Sequence, residues 1–158
     1  MDPMHNRHWA QHNLTAIEVL PNKQYYLPFS VSTPLSKKDI TFELDIRVAD
    51  ELVLEALSHR FKATPRNRVK SLRVQLFNDQ GKPLTDVASS IKQRIKLNEH
   101  SIKGLYLALQ LNEHLEPHEF TILEIILIRI SREKRELAGS IGVMIRPYAE
   151  NCAGEMNL

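Results

Sequence analysis

Apolar and polar residues alternate along most of this chain, and Ile40 to Val48, I-T-F-E-L-D-I-R-V, alternates without a fault. Side chains on a β-strand point to opposite faces with period 2, so Ile40, Phe42, Leu44, Ile46 and Val48 face a core. Thr41, Glu43, Asp45 and Arg47 then form a polar face that meets solvent. A helix would scatter both sets.

The same code predicts further strands. Leu14 to Leu20 alternates, Pro21-Asn22 supplies a turn, and Gln24 to Val31 follows with Tyr25, Leu27 and Phe29 on one parity. Pro28 lacks an amide donor, which puts that strand at an edge or a bulge. Ser32 to Lys38 reads as a loop. Leu52 to Phe61 is read as a strand, although Val53, Leu57 and Phe61 also fit a helical stripe. Ala63 to Arg68 is a basic connection, and Val69 to Phe77 is a strand with Leu72, Val74 and Leu76 inward. Asn78-Asp79-Gln80-Gly81 then makes a turn in which Gly81 takes positive φ.

After an irregular stretch from Leu84 to Ser90, Ile91, Gln93, Ile95 and Leu97 alternate with Lys92, Arg94 and Lys96. Gly104 to Leu111 repeats the theme. Asn112 to His118 is polar and contains Pro117, which breaks the pattern. Phe120 to Ile130 is apolar on both parities, as expected of a central strand covered above and below, with a buried helix as the alternative. Ser131 to Gly139 reads as a charged loop, and Ile141, Val143 and Ile145 give a last strand ending at Pro147.

About eight strands without a βαβ alternation predict an all-β fold, an antiparallel β-sandwich of Ig-like or jelly-roll-like type. Barrel closure is the alternative. The expected organisation is a flexible N-terminal tail over 1–13, one sandwich domain over 14–147 and a C-terminal tail over 148–158. A length of 158 residues suits a single core, and 42% apolar with 25% charged residues is the composition of a folded domain.

Charge narrows the partners. A net +2 lacks the concentrated basic face of a nucleic-acid binder. Cys152 is the only cysteine, so neither an intrachain disulfide nor a cysteine-rich zinc site can form. No span of about 20 apolar residues marks a transmembrane helix. Met1-Asp2-Pro3 ahead of Met4 reads as a cloning remnant. The expected location is periplasmic or envelope-anchored if a leader was trimmed, and cytoplasmic otherwise.

Few residues announce chemistry. No G-x-S-x-G elbow, P-loop, H-E-x-x-H or glycine-rich dinucleotide motif is present, so no catalytic residue and no cofactor is expected. His114 and His118 lie beside Glu113, Glu116 and Glu119, but Pro117 prevents the helical face that an i, i+4 pair of ligands needs. A solvated loop is expected there, not a metal site. His5, His8 and His12 share that spacing in the tail. Asn13-Leu14-Thr15 fits a glycosylation acceptor by chance alone.

Arg66, Arg68, Lys70 and Arg73 are the expected partner-binding cations, because guanidinium pairs bidentately with carboxylate and phosphate. Tyr25 and Tyr26, with Phe29 and Trp9, are the expected aromatic contacts. Lys92, Arg94 and Lys96 fit a charged edge that blocks stray strand pairing.

L-P-F-S-V-S-T-P-L at Leu27 to Leu35 leads to the I-T-F-E-L-D-I strand. R-N-R-V-K-S-L at Arg66 to Leu72 and R-E-L-A-G-S-I-G-V-M-I at Arg135 to Ile145 follow it. In this order the segments, framing residues 14 to 147, resemble a bacterial family of small periplasmic or lipoprotein β-sandwich domains of unknown function. Some of its members are suspected immunity proteins. The resemblance implies a non-enzymatic, protein-binding domain that neutralises a secreted toxin, and a polar face of Thr41, Glu43, Asp45 and Arg47 that meets a partner rather than water. A carbohydrate- or small-ligand-binding module and a hydrolase are the alternatives.

Overall fold

A computed structural model describes residues 14–29, 31, 37–99, 104–132 and 134–149. The expected tail over 1–13, with His5, His8, Trp9, His12 and Asn13, lies outside the described residues, as do 32–36 and, with Cys152, residues 150–158 of the tail expected over 148–158. Nine strands and one helix follow in chain order: β1 (Leu14–Val19), β2 (Gln24–Pro28), β3 (Ile40–Val48), α1 (Glu51–Phe61) and β4 (Thr64–Pro65). β5 (Leu72–Phe77), β6 (Ile91–Leu97), β7 (Tyr106–Leu111), β8 (Glu119–Ile130) and β9 (Arg135–Pro147) complete the described elements.

They form a β-sandwich. The larger sheet runs β1-β9-β8-β3-β6, with β4 paired to the start of β8, and the smaller runs β2-β7-β5. Pairing is antiparallel except for β1 on β9 and β4 on β8, which are parallel. Between the sheets lie Phe42, Leu44 and Ile46 of β3, Leu123, Ile125 and Leu127 of β8, and Ile91, Ile95 and Leu97 of β6. Leu72, Val74 and Leu76 of β5 and Leu107, Leu109 and Leu111 of β7 face them. The alternation in the sequence is therefore the alternation between this core and the two outer faces.

β8 is central, with β9 on one side and β3 on the other. Its second parity does not meet water either. Phe120 and Ile122 pack with Met144 under Val53, Leu54 and Leu57 of α1, making a second, smaller core on the outside of the large sheet. This explains why the second parity of β8 is apolar at Phe120 and Ile122; Ile126 and Ile128 beyond the buried Glu124 are also buried but lie outside this cluster.

α1 corrects the strand expected over Leu52 to Phe61. The buried positions Val53, Leu54 and Leu57 have helical spacing, whereas a strand would bury alternate residues and turn Glu55 inward. Asp50 caps the start, its Oδ1 accepting from Val53 N at 3.1 Å. Glu51 in the first turn and His59 and Arg60 in the last complement the helix dipole. The chain then leaves through Lys62 in the left-handed region at φ 51°.

The charged loop expected over Ser131 to Gly139 is a second correction. Ser131 N donates to Lys134 O at 3.0 Å, and β9 already begins at Arg135. Arg135, Glu136 and Leu137 are exposed because this end of the hairpin stands at the rim, yet their backbones pair with β8. A register shift between Leu127 and Ile128 bends it there. Among the described residues no helix is long and apolar enough to cross a membrane.

Candidate functional site

The two outer faces differ in how they use their polar groups. On the large sheet, Glu43 accepts from Arg135 Nη2 at 3.0 Å and Nη1 at 3.2 Å. Arg135 reaches it from β9, across β8. The fork holds the Glu43 carboxyl below its usual range, burial opposes this, and Lys92 and Arg94 on β6 assist. Arg47 Nη1 lies 3.3 Å from Asp45 Oδ2, and Arg47 sits in register with the buried Glu124. Asp45 is 5% exposed and Glu124 is fully buried. The Glu43, Asp45 and Arg47 side expected to meet a partner is thus largely closed by its own ion pairs.

On the small sheet the outer face is open. Strand register arranges it as three rows: Gln24, Gln110 and Arg73; Tyr26, Ala108 and Gln75; Pro28, Tyr106 and Phe77. The aromatic row is built by packing. Phe77 stacks on Tyr106 at 5.2 Å and 7°, and Tyr26 meets Tyr106 edge to face at 5.8 Å and 71°. Tyr26 keeps 61% of its surface exposed. Its hydroxyl donates to Gln24 Oε1 at 3.2 Å, which ties the first strand's polar and aromatic groups together.

Two connections frame this face. Asn78 Oδ1 accepts from Gln80 N at 3.0 Å and Lys82 N at 2.9 Å, forming the expected turn with Gly81 at φ +74°. Gly104 at φ +77° admits no side chain, since a Cβ there would lie 2.7 Å from Asp79 Cβ. That contact brings the start of β7 against the turn. The strap from Pro83 to Ala88 runs along the free edge of β5, bridging Val74 to Ala88 and Phe77 to Pro83. Thr85 fastens it, its Oγ1 accepting from Leu76 N and its carbonyl from Gln75 Nε2.

Ala108 is small, and its larger neighbours rise around it. Gln24, Arg73, Val74, Gln75, Val87, Ala108 and Gln110 line a hollow of about 130 Å³. This is well below the roughly 300 Å³ at the small end of pockets that enclose a drug-sized ligand. It suits one ring laid on a surface. Gln75 and Gln110 each commit their Nε2 to a neighbour, Thr85 O and Asn112 Oδ1, so the amide oxygens are oriented by held groups.

Of the residues singled out from sequence, Arg73 lines this hollow and Tyr26 lies on the same face, in register with Ala108. Tyr25 does not. It faces the sandwich core, its hydroxyl accepts from Leu20 N at 2.8 Å, and Lys23 Nζ sits 5.6 Å from its ring centroid. Arg66 is engaged by the fold: its Nη1 lies 3.0 Å from Glu119 Oε2, with Glu113 at 3.9 Å. Glu119 also accepts from Glu116 N, and this bond first, then Arg66, keeps its carboxyl below the usual range. Arg68 and Lys70 are exposed on the connection to β5.

Tyr106, Phe77, Gln24, Gln75 and Gln110 were not anticipated. Their signal was present, since each occupies the parity opposite to the core residues of its strand. The order β2-β7-β5, which makes them neighbours, was not.

A second concavity, of about 490 Å³, opens at one end of the sandwich between Glu18, His114, Leu115, Pro117, Arg146 and Tyr148. His114 Nε2 lies 3.9 Å from Glu116 Oε1 on a solvated loop. No serine, threonine or cysteine is among the described residues lining it. Among the described residues no group of three potential metal ligands converges. The chain matches no family model, and no curated protein or solved structure matches it significantly.

Proposed function

We propose that this chain is a non-enzymatic binding module that recognises a saccharide on the outer face of its three-stranded sheet. The carrying observation is the juxtaposition of an exposed aromatic ring, Tyr26, with a shallow hollow floored by Ala108 and ringed by amides and a guanidinium. Sugars present an apolar face of C–H groups and an equatorial rim of hydroxyls. A ring stacked on an aromatic surface, with its hydroxyls meeting side chains that donate and accept, satisfies both.

Size separates this reading from a toxin-neutralising one. Three strands about 4.8 Å apart and five residues of about 3.4 Å give a face on the order of 250 Å². A stable protein interface buries about 800 Å² per partner. The basic stretch expected to anchor such a partner also has Arg66 bound to Glu119. The envelope location and the immunity role implied by the family resemblance have no supporting observation in this face.

A glycan array probed with the purified chain and with Tyr26→Ala tests the proposal. The wild-type chain is expected to retain at least one glycan class, and the variant to lose tenfold or more with an unchanged thermal transition. Silence across the array, or equal binding by the variant, overturns it.

A further inference from the structure

We infer that the saccharide is acidic, and that Arg73 receives its anionic group. The inference rests on the reading of this face as a saccharide platform. Arg73 sits at the end of the row Gln24, Gln110, Arg73 and lines the hollow around Ala108. Its side chain is exposed and makes no ion pair or hydrogen bond among the described residues. Arg47, Arg66 and Arg135 differ, each lying within 3.3 Å of a carboxylate oxygen.

Among the described residues that line the hollow, Arg73 is the one charge. The others are three glutamines, two valines and an alanine, so no carboxylate among them competes for the guanidinium. A neutral sugar would be served by the amides alone. A guanidinium facing neutral groups gains most from an anion, which it can hold with two parallel N–H donors. The geometry therefore orients the ligand: ring plane on Tyr26, acid group towards the Arg73 corner, hydroxyls over Gln75 and Gln110.

The test uses an array carrying neutral glycans, carboxylate-bearing glycans such as uronates and sialates, and sulfated glycans. It is probed with the full chain, Arg73→Gln, Arg73→Lys and Tyr26→Ala. Binding is expected to be confined to acidic glycans, with carboxylate and sulfate arms telling the two sources apart, and to weaken as salt rises from 50 to 300 mM. Arg73→Gln is expected to reduce it roughly tenfold to a hundredfold, the loss of a charge-assisted hydrogen bond. Arg73→Lys keeps the charge without the fork and should fall between.

Binding to neutral glycans that Arg73→Gln leaves intact overturns the acidic inference and keeps the saccharide platform. Silence of the wild-type chain on every arm overturns the platform itself. Acidic binding lost in Tyr26→Ala but unchanged in Arg73→Gln places the anion elsewhere, and this too overturns the inference.

Discussion

The outer face of the large sheet and the outer face of the small sheet are written in the same code and put to opposite uses. Both consist of the residues that alternate with the core. On the large sheet those residues include Glu43, Asp45, Arg47 and Glu124: Arg135 of β9 reaches Glu43 across β8, Arg47 pairs with Asp45 of its own strand, and the buried Glu124 lies in register with Arg47. One end of that face is then covered by α1. On the small sheet the corresponding residues are aromatic rings, amides and one arginine, and nothing described covers Tyr26. Polar-outward alternation therefore gives an open face, an ion-paired one or a second core. Which one depends on whether opposite charges come into register.

The comparison predicts that substitutions on the closed face change stability and those on the open face change binding. The largest effect is expected for Leu54→Ala, which empties a fully buried position between α1 and β8. Urea unfolding should show a loss of about 2–5 kcal/mol. A loss below about 1 kcal/mol would mean that the helix is not what closes this face.

A smaller effect is expected for Glu43→Gln, about 1 kcal/mol at neutral pH, because Arg135 is partly exposed and water weakens the pair. The pH dependence carries a definite sign. Glu43 ionises more easily folded than unfolded, so its contribution is complete above the ordinary value of 4.5. It disappears as pH falls below that value and through the lowered folded one. The wild-type and variant unfolding curves should converge in acid; curves separated by the same amount at pH 7 and pH 3 would contradict the pair.

The smallest effect on stability is expected for Arg73→Gln, within about 0.5 kcal/mol, as for an exposed side chain with no partner among the described residues. The same variant carries the largest expected loss of acidic-glycan binding. If it unfolds more easily than Glu43→Gln, the two faces are not distinguished as described here.

Much of this fold was legible along the chain. Ile40–Val48 and Ile91–Leu97 have the bounds their alternation predicts, and Phe120 to Ile130 is the central strand that its two apolar parities required. The helix was misread because the apolar residues of Leu52 to Phe61 satisfy two periods. The deciding signals, Asp50 as a cap and the acidic and basic ends, lie at its boundaries. Arg135 to Gly139 was misread as a loop because Arg135 and Glu136 extend the charged run of 132–134. Their strand identity comes from backbone pairing with β8, which side-chain polarity does not report.

The candidate site was legible only in part. Tyr26 and Arg73 could be singled out as residue types, but they were assigned to different groups, Tyr26 with Tyr25 and Arg73 with Arg66. Adjacent residues on a strand face opposite ways, and this separates Tyr25 from Tyr26. Arg66 lies outside β5, where Glu119 of β8 reaches it.

By itself the sequence determined most of the local facts: which residues of the alternating strands turn inward, where most turns fall, and that two sheets enclose the main core. Local period and turn chemistry suffice for these, because they depend on residues a few positions apart. Tertiary structure alone decided which strands are neighbours. That choice placed Arg135 on Glu43 and closed one face, and it laid β2 and β5 against β7 to open the other. Register between segments distant in sequence is set by the packing of the whole core, so no local pattern carries it.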